Sequence, residues 1–173
     1  MTRGRVTALL AVAAFAVAGC GGGSQHPPGG GGEGVQGLQL PPETSDINKR
    51  PVIPKPHGAP PASLQVRDVL QGNGATAESG DKLTVKYVGV SWSTGKEFDA
   101  NWSRGDKLFS FKLGARKVIP GWDQGLVGMR VGGRRELVIP PSQAYGPQGQ
   151  PPAIGPNETL VFVIDLKKVS KGG

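Results

Sequence analysis

Apolar and polar residues alternate along residues 159–169, with Leu160, Phe162, Ile164 and Leu166 on one side and Asp165 and Lys167 on the other. A period of two held over that length predicts a β-strand with one face turned to a core. The same rhythm returns at 82–90, where Leu83, Val85 and Tyr87 oppose Lys82, Thr84 and Lys86. It returns again at 134–140, where Leu137 and Ile139 oppose Glu136 and Val138. Residues 64–70 (Leu64, Val66, Val69, Leu70) and 107–113 (Leu108, Phe109, Phe111, Leu113) predict two further strands. Gln71-Gly72-Asn73-Gly74 and Ser93-Thr94-Gly95-Lys96 are turn sequences. Pro140-Pro141 ends a strand, and residues 146–157, rich in proline and glycine, read as a long loop.

The pattern changes at 119–127. Pro120 suits a first helical turn, where its missing N–H costs nothing. Trp122 and Leu126 stand four apart and share a helix face, and Gly128 fits the stop. Gly121 and Gly125 are poor helix residues, so this helix must be held by tertiary packing. An indole just after a Pro-Gly step, at the start of a short helix, can form the flat floor of a small apolar pocket. Strands, then one short helix, then two strands predict an α+β domain whose mostly antiparallel sheet wraps around the helix.

Neither rhythm is present before residue 63. Residues 1–5 are short and positive, residues 6–18 are apolar, and small residues lead directly to a lone cysteine in Val17-Ala18-Gly19-Cys20. The apolar run is too short to span a membrane and fits a secretory signal core. The boundary resembles the lipobox of bacterial lipoproteins, which implies cleavage before Cys20 and a diacylglycerol on its thiol. Residues 1–19 are therefore expected to be a lipoprotein signal peptide. Residues 20–62, rich in glycine and proline, are expected to be a flexible, lipid-anchored tether, and residues 63–173 one folded domain. The expected location is outside the cytoplasm, anchored to the cell membrane.

Composition narrows the chemistry. The 173 residues carry a formal net charge of +7. Arg3 and Arg5 lie in the expected signal peptide and the charges of 20–62 cancel, so the remaining surplus lies in the folded domain. It is spread out, with no basic run or basic helix, which excludes a nucleic-acid-binding reading. One cysteine excludes an intramolecular disulfide. His26 and His57 are isolated, and no metal site, phosphate loop or nucleophile–histidine pair is predicted, so no cofactor is expected.

Six blocks over about residues 62–169 resemble the FKBP-type peptidyl-prolyl cis-trans isomerases: Lys86-Tyr87-Val88-Gly89, Gly95-Lys96-Glu97-Phe98-Asp99, Phe109-Ser110-Phe111-Lys112-Leu113-Gly114, Val118-Ile119-Pro120-Gly121-Trp122, Ala144-Tyr145-Gly146 and Leu160-Val161-Phe162. The resemblance implies an antiparallel half-barrel of five to six strands closed over the helix. It implies that Trp122 is the floor under a proline ring, with Tyr87, Phe109, Phe162, Val118 and Ile119 as walls. The Ile119 N–H and the Tyr145 hydroxyl would donate to substrate carbonyls. Asp99 would sit at the rim beside Phe98 with Arg104 as its ionic partner, and Ala153 and Ile154 would form a lip. Tyr87, Asp99, Trp122, Tyr145 and Phe162 are the expected catalytic residues.

The implied reaction is X-Pro isomerisation in exported polypeptides without covalent catalysis. The alternative is a module of low turnover that holds proline segments at the membrane surface. Macrolides of the tacrolimus type are implied ligands, and a monomer is expected. Two features stand apart from the resemblance. Trp92 and Trp102 lie in inserted loops, with membrane or substrate contact the one use suggested for them. Leu40-Pro41 and Ile53-Pro54 are apolar-Pro steps through which the tether would visit an active site.

Overall fold

A computed structural model describes residues 35–102 and 107–172. Six strands form one antiparallel sheet: β1 (Gln65–Leu70), β2 (Lys82–Ser91), β3 (Glu97–Ala100), β4 (Phe109–Lys112), β5 (Arg134–Ile139) and β6 (Leu160–Ser170). The order across the sheet is β1-β5-β6-β2-β3, and β4 also pairs with β2. The ten-residue β2 explains this edge: its start pairs with β4 through Lys82↔Lys112 to Val85↔Phe109, and its end with β3 through Val88↔Ala100 to Val90↔Glu97. The expected α+β architecture with five to six antiparallel strands around one helix is what the chain adopts. The four-residue β3 carries no strand signature of its own, because four residues are too few for a period of two to declare itself.

The one α-helix among the described residues, α1, runs Pro120–Gly125, shorter than the 119–127 expected. It lies very close to β5. A Cβ on Gly121 would stand 2.4 Å from Ile139 Cγ2, and one on Gly125 would stand 2.7 Å from Leu137 Cδ2. The two glycines that weaken the helix are thus the residues that let it approach the sheet. Trp122, Leu126 and Met129 complete a core with Leu83, Val85, Leu137, Leu160, Ile164 and Leu166 from the sheet's inner face. Arg135 ties the helix end down: its Nη1 donates to the carbonyls of Gly125 (2.9 Å) and Val127 (3.1 Å), while its Nε donates to Asp68 of β1 (2.6 Å).

The sheet's outer face carries a second apolar cluster, and here the domain boundary differs from the expected one. Val88, Val90, Trp92, Ala100, Val138 and Val161 pack against the buried Leu38, with Val35, Leu40, Ile53 and Trp102 around them. Residues 35–62, expected as part of a flexible tether, are a strap on the folded domain, and a 3-10 turn forms at Pro42–Ser45. Composition hid this because the strap uses isolated apolar residues without periodicity. The anchor between them is polar. Arg134, fully buried, pairs with the fully buried Asp165 at 2.5 Å. Its Nη1 donates to the carbonyls of Thr44 (2.6 Å) and Asp46 (3.0 Å), and its Nη2 donates to that of Lys49 (2.8 Å) and to the second oxygen of Asp165 (2.9 Å). All five guanidinium N–H groups therefore have acceptors, the condition under which a buried charge is tolerated.

The strap also accounts for both loop tryptophans. Trp92 is buried and its Nε1 donates to the Gly58 carbonyl at 3.2 Å. Trp102 packs on the outer cluster beneath the Lys86 ammonium, 4.7 Å from its ring centroid, a cation–π contact. Neither lines the pocket described below. Leu40 and Ile53 pack on this outer cluster too, so the idea that their proline steps visit the chain's own site is overturned. Residues 1–34, with the expected signal peptide, Cys20 and His26, lie outside the described residues.

Candidate active site

On the inner face, between sheet and helix, aromatic rings surround a cavity of about 250 Å³. Trp122 forms its floor and is buried. Tyr87 meets the indole edge-on with centroids 5.3 Å apart, and Phe162 does so at 5.2 Å. Phe109 stands 6.2 Å away, also edge-on. Edge-to-face contacts of this kind hold rings at fixed angles, so the walls are set before a ligand arrives. The Trp122 Nε1 is buried without a partner among the described residues.

The sheet's period of two brings these rings together. Tyr87 and Phe162 face inward from neighbouring strands, through the registers Tyr87↔Ile164 and Gly89↔Phe162. Phe98 from β3 closes against Phe162 at 5.4 Å and 87°. That contact passes over Gly89, where a Cβ would stand 2.8 Å from both Phe98 and Phe162. The glycine in Lys86-Tyr87-Val88-Gly89 is thus required by the close passage of two rings.

Polar groups stand at the rim. The Tyr87 hydroxyl donates to the Asp99 carboxylate at 2.5 Å. Tyr145 lines the cavity as well. Burial, and then the charge of Asp99, push its phenol above the ordinary 10.0, so the hydroxyl keeps its proton. No acceptor engages it among the described residues. Ile119 precedes the helix with extended φ −61° and ψ 149°, and its carbonyl accepts from the Trp122 and Asp123 N–H groups. Its own N–H has no partner among the described residues. Val118 and Lys117 complete that wall.

Of the residues expected to form the site, Tyr87, Phe98, Asp99, Phe109, Val118, Ile119, Trp122, Tyr145 and Phe162 come together around this one cavity. Ala153 and Ile154 do not. Ile154 is buried in the core, and the exposed Ala153 lines a separate cleft beside Ser93 and Pro156. The bridge between Gln150 and Ile154 turns the loop inward at residue 154, which is why sequence adjacency to the flap misplaces them. Arg104 lies outside the described residues.

Two residues of the cavity and its support have no signature in the sequence. Lys117 is one, because a lysine before an apolar run carries no pattern. Asn101 is the other: buried just after β3, it accepts the Tyr87 N–H (2.8 Å) and donates to the Val85 carbonyl (3.0 Å), fixing the backbone that carries the Tyr87 ring. Among the described residues no group of three or more metal-ligating side chains stands together.

Known proteins are similar to this chain. The chain is 52% identical over 122 residues to an FK506-binding protein of Streptomyces anulatus, covering 70% of this chain and 98% of that one. It is 46% identical over 118 residues to a probable FK506-binding protein of Corynebacterium glutamicum, covering 68% and 97%. The crystal structure of FkpA from Escherichia coli superposes with a TM-score of 0.57 at 42% identity, covering 64% of this chain and 49% of that one. Residues 73–167, which carry the pocket floor and every described wall, match the FKBP-type peptidyl-prolyl cis-trans isomerase family, and the chain belongs to that enzyme family.

Proposed function

We propose that the aromatic cavity is where this isomerase turns over X-Pro bonds, in polypeptides exported across the membrane, without covalent chemistry. The observation that carries the reading is an apolar, ring-walled cavity with two donors unengaged among the described residues, the Ile119 N–H and the Tyr145 hydroxyl. A peptide bond resists rotation because resonance gives it double-bond character, with a barrier of about 18–20 kcal/mol. In the twisted transition state resonance is lost and the carbonyl carries less negative charge. Apolar walls favour that less polar state over the planar amide. Trp122 holds the proline ring while the preceding carbonyl swings, and the two donors keep the flanking carbonyls in place. About 8 kcal/mol of such differential stabilisation corresponds to a million-fold rate. No proton transfer or nucleophile is needed. The same cavity is proposed to take FK506-type macrolides, as the names of the bacterial relatives say of those proteins.

We place the enzyme outside the cytoplasm as a monomer, held to the membrane by diacylglycerol on Cys20. The lipobox-like Val17-Ala18-Gly19-Cys20 supports that placement. Labelled fatty acid should enter the protein and fail to enter a Cys20→Ala form. The pocket assignment is tested by cis-to-trans exchange of short X-Pro peptides with and without FK506. The expected result is catalysis that FK506 abolishes and that Trp122→Ala reduces by at least about tenfold, a loss of about 1.4 kcal/mol in transition-state binding. Exchange no faster than the uncatalysed reaction, or unaltered in Trp122→Ala, would remove the reading.

A further inference from the structure

The chemistry of the pocket leaves one lining residue without a task. Lys117 is the one cation among the described lining residues. Its side chain is exposed and it stands two residues before the unengaged Ile119 N–H. Next to it, Arg116 borders a second hollow of about 550 Å³, which shares Val118 with the aromatic cavity and continues along Pro120 to Gln124. Neither cation forms an ion pair among the described residues.

The carboxylates of these two hollows are occupied otherwise. Asp99, which also lines the aromatic cavity, accepts the Tyr87 hydroxyl. Asp123 accepts the main-chain N–H groups of Gly114 (2.8 Å) and Arg116 (3.0 Å), so it braces the loop carrying the cations and pairs with neither side chain. A peptide whose proline rests on Trp122 and whose chain leaves past Val118 therefore meets two unpaired positive charges.

We propose that Lys117, seconded by Arg116, is a specificity-determining residue that favours X-Pro segments bearing Asp or Glu beside the proline. The inference rests on the reading of the aromatic cavity as the isomerase site. Each cation is partly solvated, so its effect on binding is that of a surface ion pair, a few-fold per charge. The surplus of positive charge in the domain adds attraction at longer range.

The test measures kcat/KM at low salt for six peptides, with Glu, Ala or Lys placed immediately before or immediately after the proline. In one of the two positions Glu should exceed Ala by about threefold and Lys by about tenfold. Roughly 0.5 M NaCl should draw these ratios toward one. Lys117→Ala should shrink the Glu-to-Lys ratio, Lys117→Glu should invert it, and Lys117→Arg should keep it. Arg116→Ala should shrink it by a smaller factor. Because each ratio is taken within one variant, a general loss of activity does not imitate the effect. Turnover of all six peptides with no charge preference, or a preference unmoved by Lys117→Glu, overturns this inference alone. Turnover of none of them overturns the pocket reading and this inference with it.

Discussion

Leu38 lies in a stretch whose composition reads as tether, yet it is only 1% exposed. It packs with Val88, Val90, Trp92, Ala100, Val138 and Val161 on the outer face of the sheet. Leu38→Ala removes three carbons from that cluster and leaves a cavity. Fully buried Leu→Ala changes cost about 2–5 kcal/mol, the lower values arising where the surroundings collapse. The strap is a single layer of chain with water beyond it and can settle partly inward, so about 2–3 kcal/mol is expected here. For a domain of this size that lowers Tm by roughly 6–12 °C. Urea unfolding and a thermal melt read both quantities. Val52→Ala is the matched control, since Val52 is in the same strap but 57% exposed, and it should change stability by less than about 0.5 kcal/mol. Well below its Tm, Leu38→Ala should retain isomerase activity, because the outer cluster and the pocket lie on opposite faces of the sheet. A Leu38→Ala protein as stable as the Val52→Ala control would refute the argument, and residues 35–62 would then be a tether.

Three further outcomes follow from the geometry. The Tyr145 phenol, raised above 10.0 by burial and by Asp99, should remain a donor where an ordinary tyrosine ionises; the difference in 295 nm titration between wild type and Tyr145→Phe should show a midpoint above pH 10, and a midpoint below it would contradict the placement. Gly121→Ala sets a Cβ 2.4 Å from Ile139 Cγ2, so it should lift the helix from β5, cost about 1–3 kcal/mol, and lower kcat/KM by displacing the adjacent Trp122; unaltered stability would mean the contact is not close. Burial raises the Glu136 carboxyl despite its 2.6 Å pairing with Arg67, so the folded state binds that proton more tightly than the unfolded chain. Its contribution to stability is then fully present below the ordinary 4.5 and is lost as pH rises through the folded value. Urea unfolding at a series of pH values should show this slope flattened in Glu136→Gln, and an unaltered slope would assign it to other groups.

Glu136 also shows why part of the fold was hard to read. Alternation in β5 and β6 set Glu136 and Asp165 opposite the core residues, and opposite the core normally means facing water. In the folded protein both are buried, because the strap covers that face. A period of two reports that a strand has two faces and which one is apolar. It does not report what a separate segment lays over the other face. The strap has no sequence signature for the complementary reason: Leu38, Pro51 and Pro56 are buried singly, and isolated residues make no rhythm.

The sequence by itself determined five of the six strands, the helix α1 and the antiparallel class, and the resemblance of its motifs named nine of the residues that line the cavity. Alternation and turn chemistry are local, and the ring-bearing motifs sit on elements whose inward faces those rules define. Tertiary structure alone decided that Ile154 is core and Ala153 lies outside the pocket. It likewise decided that Asn101 braces Tyr87, that Lys117 enters the pocket wall, and that the folded domain reaches back to residue 35. Each depends on contacts between segments far apart in the chain. Such contacts are set by close packing and by the need to give every buried polar group a partner, as the five acceptors around Arg134 show, and neither requirement leaves a local pattern to read.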